Sequence, residues 1–481
     1  MLEAQSHLQL KSLLRQGACD WPHHLTLSRL VGRSLRRQDR TLIHLAPSNQ
    51  ERWWLGLLVP LCLEVRNTAL VLNERQRQQL LQVELPRLRE LGFRLPCWEG
   101  DSPPPQEGLW LLNTKELVRA WRHNRLENRQ LLVPQIEQLS HRLRRSMAIR
   151  IRSGDWEQLR RAHPAVDQAL TQLHDRIGRR LFSEAPRVDA QVRLRGGDPQ
   201  ALRDLLRLIG PCPEPWSTWL DANPTQWGSW AELDHKLLQW TWCLEPLEPL
   251  ALLQGLLSSR PALLLNTGGE SSSLDRELDE AGFHPDVSAC LREPDLDEPL
   301  SVFAPRRQPL PNTEIYAEHL LEQSRRLILG RSGLTVLLLD DQNLRRRLTS
   351  ALAAEFGTRV VEESTAPEPN GVIAARWTWW LEHQNQLPQP EQIIIGLLPI
   401  ASLENPLTSA RVEQLKQRGQ DWFRNLLLPE ALSLIPAATS PLRRNGGRLA
   451  ILDGRVRGRG WGELVLQCLQ PWVPLHRLLP D

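Results

Sequence analysis

A series of short apolar runs, each followed by a stretch with helical spacing, sets the strongest limit on how this chain folds. The runs are Thr41–Leu45, Ala69–Leu72, Leu109–Leu112, Ala262–Leu265, Thr335–Leu339, Gln392–Leu397 and Arg448–Leu452. A short run that is apolar at every position buries both of its faces, as the central strands of a parallel sheet do. Strand–helix alternation sustained along a chain predicts doubly wound α/β lobes. Between Ile136 and Leu257 the spacing reads as helical, broken at Gly210–Pro215. A Pro-rich linker, Phe303-Ala-Pro-Arg-Arg-Gln-Pro-Leu-Pro311, then divides the chain. The expected organisation is a first lobe in residues 1–135, a helical insertion in 136–257, the end of the first lobe in 258–300 and a second lobe in 301–481.

Composition narrows what such lobes can do. Apolar residues make up 41% of the chain and charged residues 24%, enough for sizeable cores. Net charge is +3, so binding of nucleic acid must come from local Arg clusters and not from a global field. The basic side chains are nearly all Arg; Lys11, Lys115, Lys236 and Lys416 are the lysines. The 19 Trp are expected mainly in cores, with a few left for stacking. No two of the seven cysteines form a CxxC pair, which argues against a zinc site or a local iron–sulfur cluster. Scattered, odd-numbered cysteines fit a reducing cytoplasm. Leu55–Leu63 is too short to span a bilayer, so no membrane partner is expected.

Three stretches, in order, carry a family resemblance. The first is Ile393–Gln414, reading IIIGLLPIASLENPLTSARVEQ; the second is Phe423 with Leu428-Pro429-Glu430-Ala431; the third is Leu442-Arg443-Arg444 running into Ala450-Ile451-Leu452-Asp453-Gly454-Arg455. Their order and spacing resemble the second motor domain of DinG/XPD-type superfamily 2 DNA helicases. Fainter likenesses follow at Ala69–Asn73, Leu109–Asn113 and Leu263–Gly269. The resemblance implies two RecA-like doubly wound parallel-sheet lobes with an insertion in the first. It also implies an ATP- and Mg²⁺-dependent motor on DNA.

The positions such a motor needs are occupied by other residues. The phosphate loop should follow Thr41–Leu45, where the chain has Ala46-Pro47-Ser48-Asn49-Gln50-Glu51-Arg52-Trp53-Trp54. The Lys and Ser/Thr positions fall on Trp53 and Trp54. No Gly is present to aim backbone N–H groups at phosphate, Glu51 repels it, and Arg52 offers one charge. The Asp-Glu pair that holds Mg²⁺ and activates water maps to Pro134-Gln135-Ile136-Glu137. The arginine-finger position maps to Ser440, within Pro436–Arg443, and the later Arg survives as Arg443 beside Arg444. A proline inside that helix is expected to disturb it. Trp377, Trp379 and Trp380 lie where the family couples ATP to DNA; they either stack on bases or pack in the core. The family's iron–sulfur domain should lie between Ala69–Leu72 and Leu109–Leu112, where Cys97 stands alone.

The degenerate nucleotide positions are therefore Ser48, Arg52, Trp53, Trp54, Gln135, Ser440 and Arg443. Trp377, Trp379, Arg443 and Arg444 are the candidate nucleic-acid contacts. No catalytic residue, metal ligand or cofactor is assigned. Arg142–Arg152, Arg160-Arg161 and Arg345–Arg347 are further basic clusters. The reading is a helicase-related protein that binds single-stranded DNA or another nucleic acid without ATP-driven unwinding. An active ATP-dependent helicase and a protein-binding scaffold with Trp-rich surfaces remain the alternatives.

Overall fold

The computed structural model describes residues 2–16, 21–46, 51–64, 67–183, 190–194, 197–268, 272–292, 298–329 and 331–476. Strands of the first lobe are β1 Arg40–Leu45, β2 Thr68–Val71, β3 Cys97–Glu99, β4 Leu109–Leu112 and β5 Gln130–Pro134. The insertion contributes β6 Ile149–Ile151, β7 Gln191–Arg193, β8 Trp227–Asp234 and β9 Gln239–Pro246. The chain returns to the first lobe with β10 Ala262–Asn266 and β11 Val287–Leu291. The second lobe holds β12 Leu300–Phe303, β13 Thr335–Leu338, β14 Val360–Glu362, β15 Val372–Ala375, β16 Gln392–Ile395, β17 Arg448–Ile451 and β18 Trp472–Pro474.

Each lobe is built on a seven-stranded sheet, in the order β11-β1-β10-β5-β2-β4-β3 and β14-β15-β13-β16-β17-β12-β18. Every strand pair in both sheets is parallel. The central strands sort their side chains strictly by parity. Leu70, Leu109, Leu111, Leu132, Leu263 and Leu265 face one helical layer. Ala69, Val71, Trp110, Leu131, Val133 and Leu264 face the other. The second lobe repeats this: Val336, Ile373, Ile393 and Leu449 on one side, Leu337, Ala374, Ile394 and Ala450 on the other. Two apolar faces per strand explain the uninterrupted hydrophobic runs in the sequence. Both lobes are thus RecA-like α/β layers, as the resemblance implied.

The insertion differs from expectation. It is not helical throughout: β6-β9-β8-β7 form an antiparallel sheet, under helices such as Ser153–Ala162 and Asp167–Ser183. The helix Leu139–Met147 belongs to the first lobe, because Leu139 and Leu143 sit in its core, as do Leu250 and Leu256 on the far side of the insertion. The insertion proper therefore runs from β6 to β9, a shorter span than 136–257. Its core is aromatic: Trp156, Trp216, Trp219, Trp240 and Trp242 pack together. Trp240, Trp242 and Leu244 alternate along β9, a period-two signal that lay inside the stretch read as helical. Among the described residues no helix is long and apolar enough to cross a membrane.

Candidate functional site

In open parallel sheets, ligands bind beyond the carboxyl ends of the strands. At that edge of the first sheet, β1 ends at Leu45 and the N–H of Ala46 donates to the carbonyl of Leu291 (3.0 Å). Ser48 lies outside the described residues. The helix Trp54–Leu63 starts where a motor would place its phosphate-binding Lys and Ser/Thr. Trp53 and Trp54 are each 2% exposed, with ring centroids 4.1 Å apart. Their helix is buried on nearly every side, as a wholly apolar sequence requires. A Cβ at Gly56 would come within 2.9 Å of Leu27, so the helix is pressed hard against its neighbour. The Glu51 carboxylate accepts from Gln76 Nε2 (3.2 Å) and Trp54 Nε1 (3.3 Å), and burial raises its pKa. Arg52 is half-buried; burial, and then the charges of Arg87 and Arg52, pull the His24 pKa down to about 4.

The next strand ends are tied to one another. Gln135 leaves β5 in a left-handed conformation (φ 56°), and Arg142 Nη2 donates to the carbonyls of Pro134 (3.3 Å) and Gln135 (3.0 Å). The Glu137 carboxylate accepts from Thr267 Oγ1 (2.6 Å) and Thr267 N (3.2 Å), and burial raises its pKa. Asn266 Nδ2 lies 3.0 Å from His44 Nδ1, and Asn266 Oδ1 accepts from the N–H of Gly268 (3.0 Å). Groups that would face a ligand face each other. Among the described residues, this edge carries the buried Trp53 and Trp54, the Glu51 carboxylate and strand ends bonded to one another.

The second lobe treats its counterpart positions in the same way. The helix Leu428–Arg444 contains Pro436 and Pro441 and continues through both, contrary to the disturbance expected. Pro441 cannot donate to the carbonyl of Ala437, one turn back. Ser440 Oγ donates to it instead (3.1 Å). Ser440, 3% exposed, thus donates within its own helix. Arg443 donates to the carbonyls of Glu298 (2.7 Å), Pro471 (2.8 Å) and Leu469. These carbonyls precede β12 and β18, so Arg443 braces the amino-terminal edge of the sheet, opposite the edge where a nucleotide would sit. Arg444, half-buried, is next to it. Trp377 and Trp380 are buried, with indole N–H groups donating to the carbonyls of Leu397 (3.0 Å) and Ala438 (2.9 Å). Trp379 is 9% exposed and stacks on His383 at 4.6 Å. Neither indole set has an open face for a base. The structure therefore gathers Arg52, Trp53, Trp54 and Gln135 at one sheet edge and leaves Ser440, Arg443 and the Trp377–Trp380 helix out of it.

The lobes meet along a polar seam. Ser140 Oγ donates to Glu277 (2.6 Å), Arg411 to Glu430 (2.7 Å), and Arg418 reaches across to Glu248 (3.0 Å). Arg144 donates to the carbonyls of Pro246 (3.1 Å) and Leu247 (3.2 Å), and desolvation pulls its pKa down to about 10. The cavity between these groups measures about 40 Å³. A small-molecule pocket usually has roughly 300–1,000 Å³, so this one has room for a few waters only. The insertion also leans on the second lobe: β8 meets the helix Pro406–Gln417 at Gly228, and Arg193 bonds Ser409 (3.3 Å) and Glu413 (2.5 Å).

One feature escaped the sequence reading. At the carboxyl ends of β12 and β17 an open groove of about 480 Å³ is lined by Arg306, Arg307, Leu310, Ile315 and Arg457. Gln308 Nε2 pins one wall by donating to the carbonyls of Ile451 (3.0 Å) and Pro305 (3.1 Å). The other wall is held by Asp453, which accepts from Arg455 Nε (3.0 Å) and Leu398 N (2.9 Å). The available signal was an Arg pair inside the linker and the spaced arginines of Gly454-Arg-Val-Arg-Gly-Arg-Gly460.

Fold and edges together define a two-lobed RecA-type α/β scaffold. No family profile matches the chain. The chain is 23% identical over 268 residues to the ATP-dependent DNA helicase YoaA of Escherichia coli, a match covering 52% of this chain and 42% of that protein. It is 32% identical over 80 residues to the 3'-5' exonuclease DinG of Bacillus subtilis, covering 16% of this chain and 9% of that one. The chain thus matches well under two thirds of these relatives' length. Among solved structures, Xpd4 of S. tokodaii shares the fold with a TM-score of 0.59 at 11% identity, over 92% of this chain and 98% of that one. An apo XPD does so with a TM-score of 0.56 at 13% identity, over 94% and 100%. The chain is thus similar to DinG-type helicases over part of its sequence and to XPD proteins in its fold.

Proposed function

We propose that this protein binds nucleic acid on a helicase scaffold and does not couple ATP hydrolysis to unwinding. The observation that carries the reading is the buried Trp53–Trp54 pair at the start of the helix Trp54–Leu63. A phosphate loop works by offering backbone N–H groups, a Lys and a Mg²⁺-binding hydroxyl to the triphosphate. Two packed indoles with a neighbouring glutamate offer none of these. The Ser440 and Glu137 hydrogen bonds add support, since each uses a motor position to satisfy the protein itself. ATP, Mg²⁺ and an iron–sulfur cluster have no part in this reading.

ATP hydrolysis by the pure full chain, with and without single-stranded DNA, is the test. Turnover should stay at background in both conditions. DNA-stimulated turnover of about 1 s⁻¹ or more, within the ordinary range for enzymes, would favour the active helicase that the likeness to YoaA suggests. The scaffold alternative calls for Trp-rich surfaces; Trp98 is 40% exposed, while Trp53, Trp54, Trp377 and Trp380 are buried.

A further inference from the structure

We infer that the groove at the carboxyl edge of β12 and β17 is a track for the phosphate backbone of a single-stranded nucleic acid. The inference rests on the nucleic-acid reading above and assigns it a surface. Arg306, Arg307 and Arg457 line the groove and Arg459 follows two residues on; all four are exposed. Among the described residues, none of these guanidinium groups has an ion pair or a hydrogen bond.

Many other arginines of the chain are committed to partners, and these four are gathered around one groove. Arg345 is paired with Glu362, Arg376 with Glu363, Arg411 with Glu430 and Arg455 with Asp453. Four exposed, unneutralised guanidiniums, two on the linker and two on and after the short helix Arg455–Gly458, create a local positive field that the net charge of +3 hides. Guanidinium forks match phosphate oxygens in geometry as well as charge.

The walls are rigid enough to hold that charge in place. Gly454 sits so close to the linker that a Cβ there would approach the carbonyl oxygens of Gln308 and Pro309 to 2.7 and 2.4 Å. Gln308 and the buried Asp453–Arg455 pair fix the two segments to the sheet. The floor is apolar: Pro309, Leu310 and Ile315 contribute it, and Ile315 is 63% exposed. A basic rim over an apolar floor suits a single strand, with phosphates on the rim and unpaired base faces on the floor. A duplex keeps its base faces stacked and would leave that floor unused.

The test is fluorescence anisotropy of the full chain with a labelled oligo(dT) of about 20 nucleotides, titrated with salt from about 50 to 200 mM. Two variants remove the rim, Arg306→Ala/Arg307→Ala and Arg457→Ala/Arg459→Ala. A third, Arg346→Ala/Arg347→Ala, removes two exposed charges elsewhere on the lobe. Each rim variant should bind about tenfold more weakly at low salt. Its log K against log salt slope should be shallower by roughly 1.4, about 0.7 per lost contact. The control variant should match the unaltered chain. Rim variants that bind like the unaltered chain overturn the groove and leave the nucleic-acid reading standing, as does a control that weakens equally. An unaltered chain that ignores oligo(dT) at low salt overturns both. So does one that ignores oligo(dT) but binds polyglutamate through the same arginines, which would assign the groove to an acidic protein segment.

Discussion

Glu137 shows how a charged residue at a strand end is turned to the protein's own donors. It follows Gln135 by two positions at the end of β5, and its carboxylate is turned to Thr267 beyond the end of β10. Burial is the largest influence on it and raises its pKa; the hydrogen bonds from Thr267 lower it by less. A carboxyl whose folded pKa lies above its unfolded value binds more protons folded than unfolded. Its contribution to stability is therefore most favourable below the unfolded glutamate pKa of about 4.3 and is lost as pH rises through the raised value. Glu137→Gln keeps an acceptor for the Thr267 N–H, and the Thr267 hydroxyl can turn to accept from the new amide. The variant should equal the unaltered chain in urea unfolding near pH 4 and gain on it as pH rises. Glu137→Ala leaves the Thr267 donors without an acceptor and should cost about 1–3 kcal/mol at any pH. A Glu137→Gln variant that loses stability as pH rises would mean the carboxylate is kept charged for a purpose, metal binding included.

The helix Leu428–Arg444 carries the same lesson at the scale of an element. Its two prolines look like breaks in the sequence, yet the helix runs on through both, and Ser440 Oγ donates to the Ala437 carbonyl that Pro441 cannot reach. The pair should be coupled. Ser440→Ala alone takes a donor from a buried carbonyl and should cost about 1 kcal/mol. On a Pro441→Ala background the residue-441 N–H returns and Ser440→Ala should be nearly silent, a coupling of roughly 1 kcal/mol in chemical unfolding. Additive effects would show that Ser440 is only a small buried residue. The contrast between elements also shows what the sequence could reveal. Strands such as β13 and β16 were legible because burial on both faces writes itself as an unbroken apolar run. The insertion's sheet was not, because β6 and β7 are three residues long and the indoles of β8 and β9 satisfy a helical window as readily as an alternating one. At the candidate site, the buried state of Trp53 and Trp54 followed from the apolar run around them. The role of Arg443 did not, because its partners are backbone carbonyls far along the chain at Glu298 and Pro471. Carbonyl partners leave no mark on side-chain pattern.

At the scale of the whole molecule, the insertion and the polar seam bear on whether the lobes move at all. In a motor, nucleotide binding closes the cleft and hydrolysis opens it, so the lobes need differential contacts in two states. Here the seam is already closed around a cavity of about 40 Å³, and β8 braces the helix Pro406–Gln417 from the insertion side. The ion pair that crosses it, Arg418–Glu248, is partly exposed and contributes little, about 0–1 kcal/mol. Close packing is the stronger restraint. A Cβ at Gly228 would lie 3.4 Å from Ala410 Cβ, 3.4 Å from a Leu407 methyl and 3.3 Å from a Leu247 methyl. A branched side chain there must push the second lobe away from the insertion, at a cost of about 1–3 kcal/mol. Gly228→Val should therefore raise the radius of gyration in small-angle X-ray scattering and speed hydrogen exchange in the helix Pro406–Gln417, while the two parallel sheets keep their protection. Added Mg²⁺ and ATP should change neither readout in the unaltered chain, because a ligand without differential affinity shifts no equilibrium. A nucleotide-induced compaction of the unaltered chain would restore the motor cycle and with it the family's activity; an unchanged scattering curve for Gly228→Val would move the restraint from this contact to the seam around Arg411.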